Sequence, residues 1–106
     1  MGNGYLKYQG KLVLEASRLG KKYFNILQKT SDFLNKNGTR VRMGIREDYR
    51  VYNINGSTII EEHESVENIF GLLLRGGAVR LHIAGSGSKK VAQQIMRRIP
   101  EFKIMN

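Results

Sequence analysis

The chain has 106 residues, 41% of them hydrophobic, with one proline and no cysteine. This allows a single packed domain over 1–106, argues against disorder, and excludes a disulfide framework or a thiolate metal site. Lys and Arg outnumber Asp and Glu 18 to 9, for a formal net charge of +9, a surplus expected of a protein that meets nucleic acid or another anionic surface. No apolar run approaches the roughly 20 residues that span a bilayer and no secretory pattern opens the sequence, so a soluble, cytoplasmic protein without a membrane partner is expected.

Residues 1–9, with Gly2 and Gly4, read as a flexible start. Lys11-Leu-Val-Leu-Glu15 predicts a short strand, after which Ser17 is placed to cap a helix running to Lys36. Leu19, Tyr23, Ile26, Leu27, Thr30 and Leu34 recur at helical spacing as its buried stripe. Arg18, Lys22, Lys29 and Lys36 fall on one outer line, because seven residues return a helix to nearly the same azimuth. Asn37-Gly38 supplies the stop.

Over 39–45, Val41, Met43 and Ile45 alternate with Arg40, Arg42 and Gly44, the pattern of a half-buried strand with a basic outer face. A turn at Arg46-Glu-Asp48 leads to a strand over 49–54, and Asn55-Gly56 is a strong hairpin signal before a strand over 57–61. Ser65 is then read as the cap of a short helix to Leu74, stopped by Gly76-Gly77. A strand over 79–84 follows, and a last helix from Ser88 to Ile99 packs Val91, Ala92, Ile95 and Ile99 inward, closing before Pro100. The expected order is β-α-β-β-β-α-β-α: an α+β two-layer sandwich with helices on one face of a mostly antiparallel or mixed sheet.

Two basic features stand out. Gly85-Ser-Gly-Ser-Lys-Lys90 joins a strand to a basic helix, and Gly85, Gly87, Ser88, Lys89 and Lys90 there offer free backbone N–H groups and two ammonium groups to a phosphate. An ordinary strand-to-helix turn capped by Ser88 is the plain alternative, since neither the P-loop nor the dinucleotide spacing is met. Arg40, Arg42, Arg50, Tyr52, Arg80 and His82 are expected to share the uncovered sheet face, where guanidinium groups hold phosphates and Tyr52 offers a stacking surface. A solvated face kept from edge pairing by its charge is the alternative there.

The surplus leans toward the first half: residues 1–50 carry eleven Lys and Arg against four Asp and Glu, and residues 51–106 seven against five. His63 lies among Glu61, Glu62, Glu64 and Glu67, but one histidine without fixed ligand spacing is a poor metal site, and acidic residues also favour a helix start. Neither histidine has an acid partner at a catalytic spacing and no Gly-x-Ser-x-Gly elbow is present, so no enzyme, metal or cofactor is expected.

From Ser57 to Phe102 the chain resembles the Alba superfamily, most closely its stage V sporulation protein S type. The resemblance is carried by Ser65-Val66, by Leu74-Arg75 with Gly76-Gly77-Ala78, by Gly85-Ser-Gly87 and by Ala92. It implies a DNA- or RNA-binding protein that uses basic residues and glycine-rich loops and forms a homodimer. A typical Alba chain ends in a β-hairpin, whereas here the spare hairpin, over 39–54, lies upstream. A second resemblance, to the phosphocarrier HPr, rests on element order and on Ile69-Phe-Gly-Leu-Leu73, but Arg18-Leu-Gly-Lys-Lys-Tyr23 lacks the phosphorylated histidine. The favoured expectation is a non-catalytic nucleic-acid-binding domain using Arg18, Lys22, Lys29, Arg40, Arg42, Arg50, Tyr52, Arg80 and the 85–90 turn. The alternatives are an HPr-like regulatory or protein-interaction module without phosphocarrier activity, and a structural component whose basic face meets an acidic neighbour.

Overall fold

The computed structural model describes residues 12–41, 50–66 and 76–105, and at Ser65 and Val66 the backbone alone. Six strands form one antiparallel sheet: β1 (Leu12–Leu19), β2 (Thr39–Val41), β3 (Arg50–Ile54), β4 (Ser57–Val66), β5 (Gly76–Ala84) and β6 (Lys103–Ile104), in the spatial order β2-β3-β4-β5-β1-β6. Two helices, α1 (Lys21–Asn37) and α2 (Ser88–Arg98), pack on β1 and β5. The fold is α+β, as the sequence pattern implied. The expected flexible start, Arg42 with the rest of the 39–45 strand, the turn at 46–48, and the body of the helix expected over 65–74 lie outside the described residues.

The core lies between the helices and one sheet face. Leu14 and Ala16 of β1, Ile59 of β4, and Val79, Leu81 and Ile83 of β5 meet Tyr23, Ile26, Phe33 and Leu34 of α1 and Val91, Ala92 and Ile95 of α2. Each buried Leu or Ile contributes about 1.5–3 kcal/mol of burial free energy. Tyr23, Ile26, Thr30, Phe33 and Leu34 lie on one azimuth of α1, and the buried side of α2 is the one its period marks. The Asn55-Gly56 turn has φ of 51° and 85°, the left-handed pair of a tight hairpin.

Several boundaries differ from the sequence expectation. β1 runs on to Leu19, so Ser17 and Arg18 belong to a strand, and Gly20, with φ 59°, turns the chain into α1. Leu19 is consequently 62% exposed rather than part of the helical stripe. Ser65 and Val66 continue β4, paired with Gly77 and Gly76, so neither begins a helix, and the two glycines open β5. Val41 pairs with Val51 and is exposed rather than directed to the core. β6, too short to leave a pattern, adds an edge beside β1 through Leu14↔Ile104 and Glu15↔Lys103.

Candidate nucleic-acid interface

Both helices begin in the same way. α1 follows Gly20 with Lys21-Lys22, and α2 follows Gly87 with Ser88-Lys89-Lys90. In each the N-cap glycine makes no side-chain cap hydrogen bond and the first turn holds no acidic residue. The opening N–H groups form the positive end of the helix dipole, and an exposed lysine pair adds charge of the same sign. Such a terminus is unfavourable for the helix by itself and favourable for an anion.

The turn before α2 is ordered from within. Gly85 has φ 118°, the Ser88 N–H donates to the Gly85 carbonyl at 3.2 Å, and the Val91 N–H donates to the Gly87 carbonyl at 3.0 Å. Ser88 is therefore the first helical residue, and Gly87 takes the cap position assigned to it from sequence. Beneath the turn lies Ser57, 0% exposed, whose Oγ has no hydrogen-bond partner. A Cβ on Gly87 would sit 3.2 Å from that oxygen and one on Gly85 3.4 Å from it. Sequence reasoning missed Ser57. Only the pairing Thr58↔Ala84 carries it under residues 85–87, and no local pattern announces that register.

The expected shared face of Arg40, Arg50, Tyr52, Arg80 and His82 does not form. The two-residue hairpin pairs Ile54 with Ser57, so even-numbered residues of β3 align with odd-numbered residues of β4 and β5. Arg40, Arg50 and Tyr52 therefore lie on the helix side of the sheet, whereas Arg80 and His82 lie on the opposite side. Tyr52 is 1% exposed and has no stacking surface to offer. Burial, reinforced by the Glu61 charge, pushes its phenol above the ordinary tyrosine range.

On the opposite side the sheet is rich in carboxylates. Arg80 donates from Nε to Glu15 at 2.9 Å and from Nη2 to Glu64 at 2.7 Å, and it lies 4.0 Å from Glu62. The Glu64 hydrogen bond, opposed by burial and joined by Glu15, holds its pKa above the ordinary arginine value. His82, 4% exposed, shares Glu62 with it through Nε2 at 3.0 Å. Arg80 is thus a partner of carboxylates on the side of the sheet away from the helices, apart from Arg40 and Arg50. The pleat also divides the acidic run around His63: Glu61 lies on the helix side, buried, with its Oε2 2.8 Å from His63 Nε2, while Glu62 and Glu64 lie on the other. Glu67 lies outside the described residues.

The cations of the helical layer have a different setting. Lys29 reaches Glu101 at 3.4 Å and Arg18, on β1, donates to the Ser17 carbonyl at 2.6 Å. Among the described residues, Lys21, Lys22, Lys36, Lys89, Lys90, Arg97 and Arg98 have no carboxylate within ion-pair distance. All seven are exposed and all lie on α1 or α2. The structure thus separates a basic helical layer from a sheet face on which Glu15, Glu62 and Glu64 surround Arg80. No helix among the described residues is long and apolar enough to cross a membrane. Compared with models of protein families, with curated proteins and with solved structures, the chain matches none.

Proposed function

We propose that this chain is a non-catalytic nucleic-acid-binding domain that meets phosphates with its helical layer. The observation that carries the reading is the repeated helix start: a glycine cap without a side-chain acceptor, no acid in the first turn, and an exposed lysine pair, once at Lys21-Lys22 and again at Lys89-Lys90. A fold with one such terminus has a local cost; two, one at each end of the β1–β5 ladder, suit a polymer that presents phosphate repeatedly. The unpaired Oγ of Ser57 under the second terminus supports the same reading, because the turn holds a polar group that the fold itself leaves unsatisfied.

Backbone contacts of this kind carry affinity without base information, so DNA and RNA are both substrates for the test. The purified protein is applied to immobilised DNA and to immobilised RNA at rising salt. Retention at low ionic strength, with log affinity falling linearly in log salt, is expected, since each neutralised phosphate releases counterions. Failure to bind either polymer at low salt overturns the proposal. A homodimer belongs to the same reading, because β6 leaves a short edge with Ile104 and Met105 exposed beside it. Light scattering at high micromolar concentration is expected to give twice the chain mass, and a monomer removes this part.

A further inference from the structure

The last turns of α1 and α2 face a cavity of about 310 Å³ lined by Phe33, Lys36 and Asn37 from the first helix and by Gln94, Arg97 and Arg98 from the second. Phe33 and Asn37 stand one turn apart, as do Gln94 with Arg97 and Arg98, so each helix turns one face to the same space. Cations near helix C-termini are favoured by the dipole, which accounts for basic residues there but not for their convergence on one concavity. Three like charges around a shared hollow repel one another. No carboxylate lines the cavity, and among the described residues none pairs with Lys36, Arg97 or Arg98.

The rest of the lining is not that of a simple anion hole. Phe33 gives it an apolar floor. Asn37 Nδ2 donates to the Phe33 carbonyl at 2.9 Å, which fixes the amide and leaves its Oδ1 as an acceptor. Gln94, partly buried, adds a second amide with both a donor and an acceptor. A phosphate uses the guanidinium groups alone. A nucleobase attached to that phosphate also uses the ring and the amides, and the volume lies at the lower end of small-ligand sites.

Resting on the nucleic-acid reading above, we infer that this cavity receives one unpaired nucleotide of a single strand, its phosphate held by Arg97, Arg98 and Lys36 and its base placed against Phe33 between the Asn37 and Gln94 amides. A duplex keeps its bases stacked inside and presents a phosphate ridge, so it engages the lysine pairs but leaves the cavity unfilled. The lysines at positions 22, 29 and 36 of α1 lie in one line that ends here, about 10 Å apart at 1.5 Å per residue.

The test measures binding of a short labelled single strand and of the matching duplex at one low salt concentration, as DNA and as RNA. The expected result is about tenfold tighter binding of the single strand, with the Phe33 ring and Asn37 side-chain amide resonances shifting as it is added. Arg97→Gln with Arg98→Gln is expected to weaken single-strand binding about tenfold. Gln94→Trp, which fills the cavity, is expected to bring the two affinities together. Because Arg97 and Arg98 are exposed, the double variant keeps the test decisive even if the tryptophan variant fails to fold. Equal affinity of the parent for single strand and duplex, or unchanged single-strand preference in the double variant, overturns the inference and leaves the broader reading standing. Binding of neither form overturns both.

Discussion

Gly77, on the interior strand β5, has no space for a side chain: a Cβ there would lie 2.4 Å from the Glu64 carbonyl oxygen and 2.8 Å from the Tyr23 ring. Gly77→Ala is therefore expected to lose about 1–3 kcal/mol of stability, read from the urea midpoint. Tyr52 gives a pH dependence of definite sign. Its native pKa is raised, by burial first and by Glu61 second, above the ordinary tyrosine value of 10.0, so the unfolded phenol ionises while the native one still holds its proton. The contribution is complete below about pH 10 and is lost as pH rises through the native value. Melting curves across this range should fall less steeply for Tyr52→Phe than for the parent. Arg80 separates folding from binding. Its guanidinium is shared by Glu15, Glu62 and Glu64, so Arg80→Met should cost about 1–3 kcal/mol. Retention on nucleic acid should stay unchanged, because the group faces carboxylates.

At the scale of elements, the lysine pairs make the sharpest expectation. Positive charge at a helix start opposes the dipole, so Lys89→Gln with Lys90→Gln should stabilise the fold by about 0.3–1 kcal/mol per residue while weakening nucleic-acid binding and lowering its salt slope. Thermal melts and the retention series read the two effects separately. If binding is unchanged in this variant and in its Lys21→Gln, Lys22→Gln counterpart, the helix starts are not the contact. The helices were the most legible elements, because Tyr23, Ile26 and Leu34, and again Val91, Ala92 and Ile95, mark one azimuth each. The hairpin was legible for an equally local reason, two residues that tolerate positive φ. The full length of β4 is not legible, because Ile60 is buried on the side opposite the helices and Glu61 on the helix side, so polarity does not alternate with the pleat. The lysine turn is legible as a strand-to-helix junction, whereas the faces of the sheet arginines are not. Alternation sorts residues within a strand; only the register, here the Ile54↔Ser57 pairing, says which set of one strand shares a face with which set of the next.

For the molecule as a whole, composition gave the sign of the charge and the fold gives its direction. α1 and α2 carry eight Lys and Arg against one Asp, while Glu15, Glu62 and Glu64 occupy the opposite side of the sheet. Amide exchange measured with and without a polynucleotide is expected to slow at Lys21-Lys22 and at Lys89-Lys90 and to remain as before along the Glu62–Glu64 stretch of β4. Protection confined to the sheet would place the contact on the wrong side.

The place of β1 in the sheet has a consequence for how the chain is made. β1 is the first described strand in sequence, yet its long partner is β5, through a register that runs from Leu12↔Ile83 to Leu19↔Gly76. As the chain leaves the ribosome, β1 and the apolar stripe of α1 emerge without the strand they bind, while β3 and β4 find each other across a two-residue turn. The early third of the protein waits, exposed, for the late third. Its shelter arrives only after residue 84 has been added, when β5 places Val79, Leu81 and Ile83 opposite Ala16, Leu14 and Leu12. A nascent chain halted before β5 would present Leu14, Ile26 and Leu34 to chaperones and proteases, and one released after it would close.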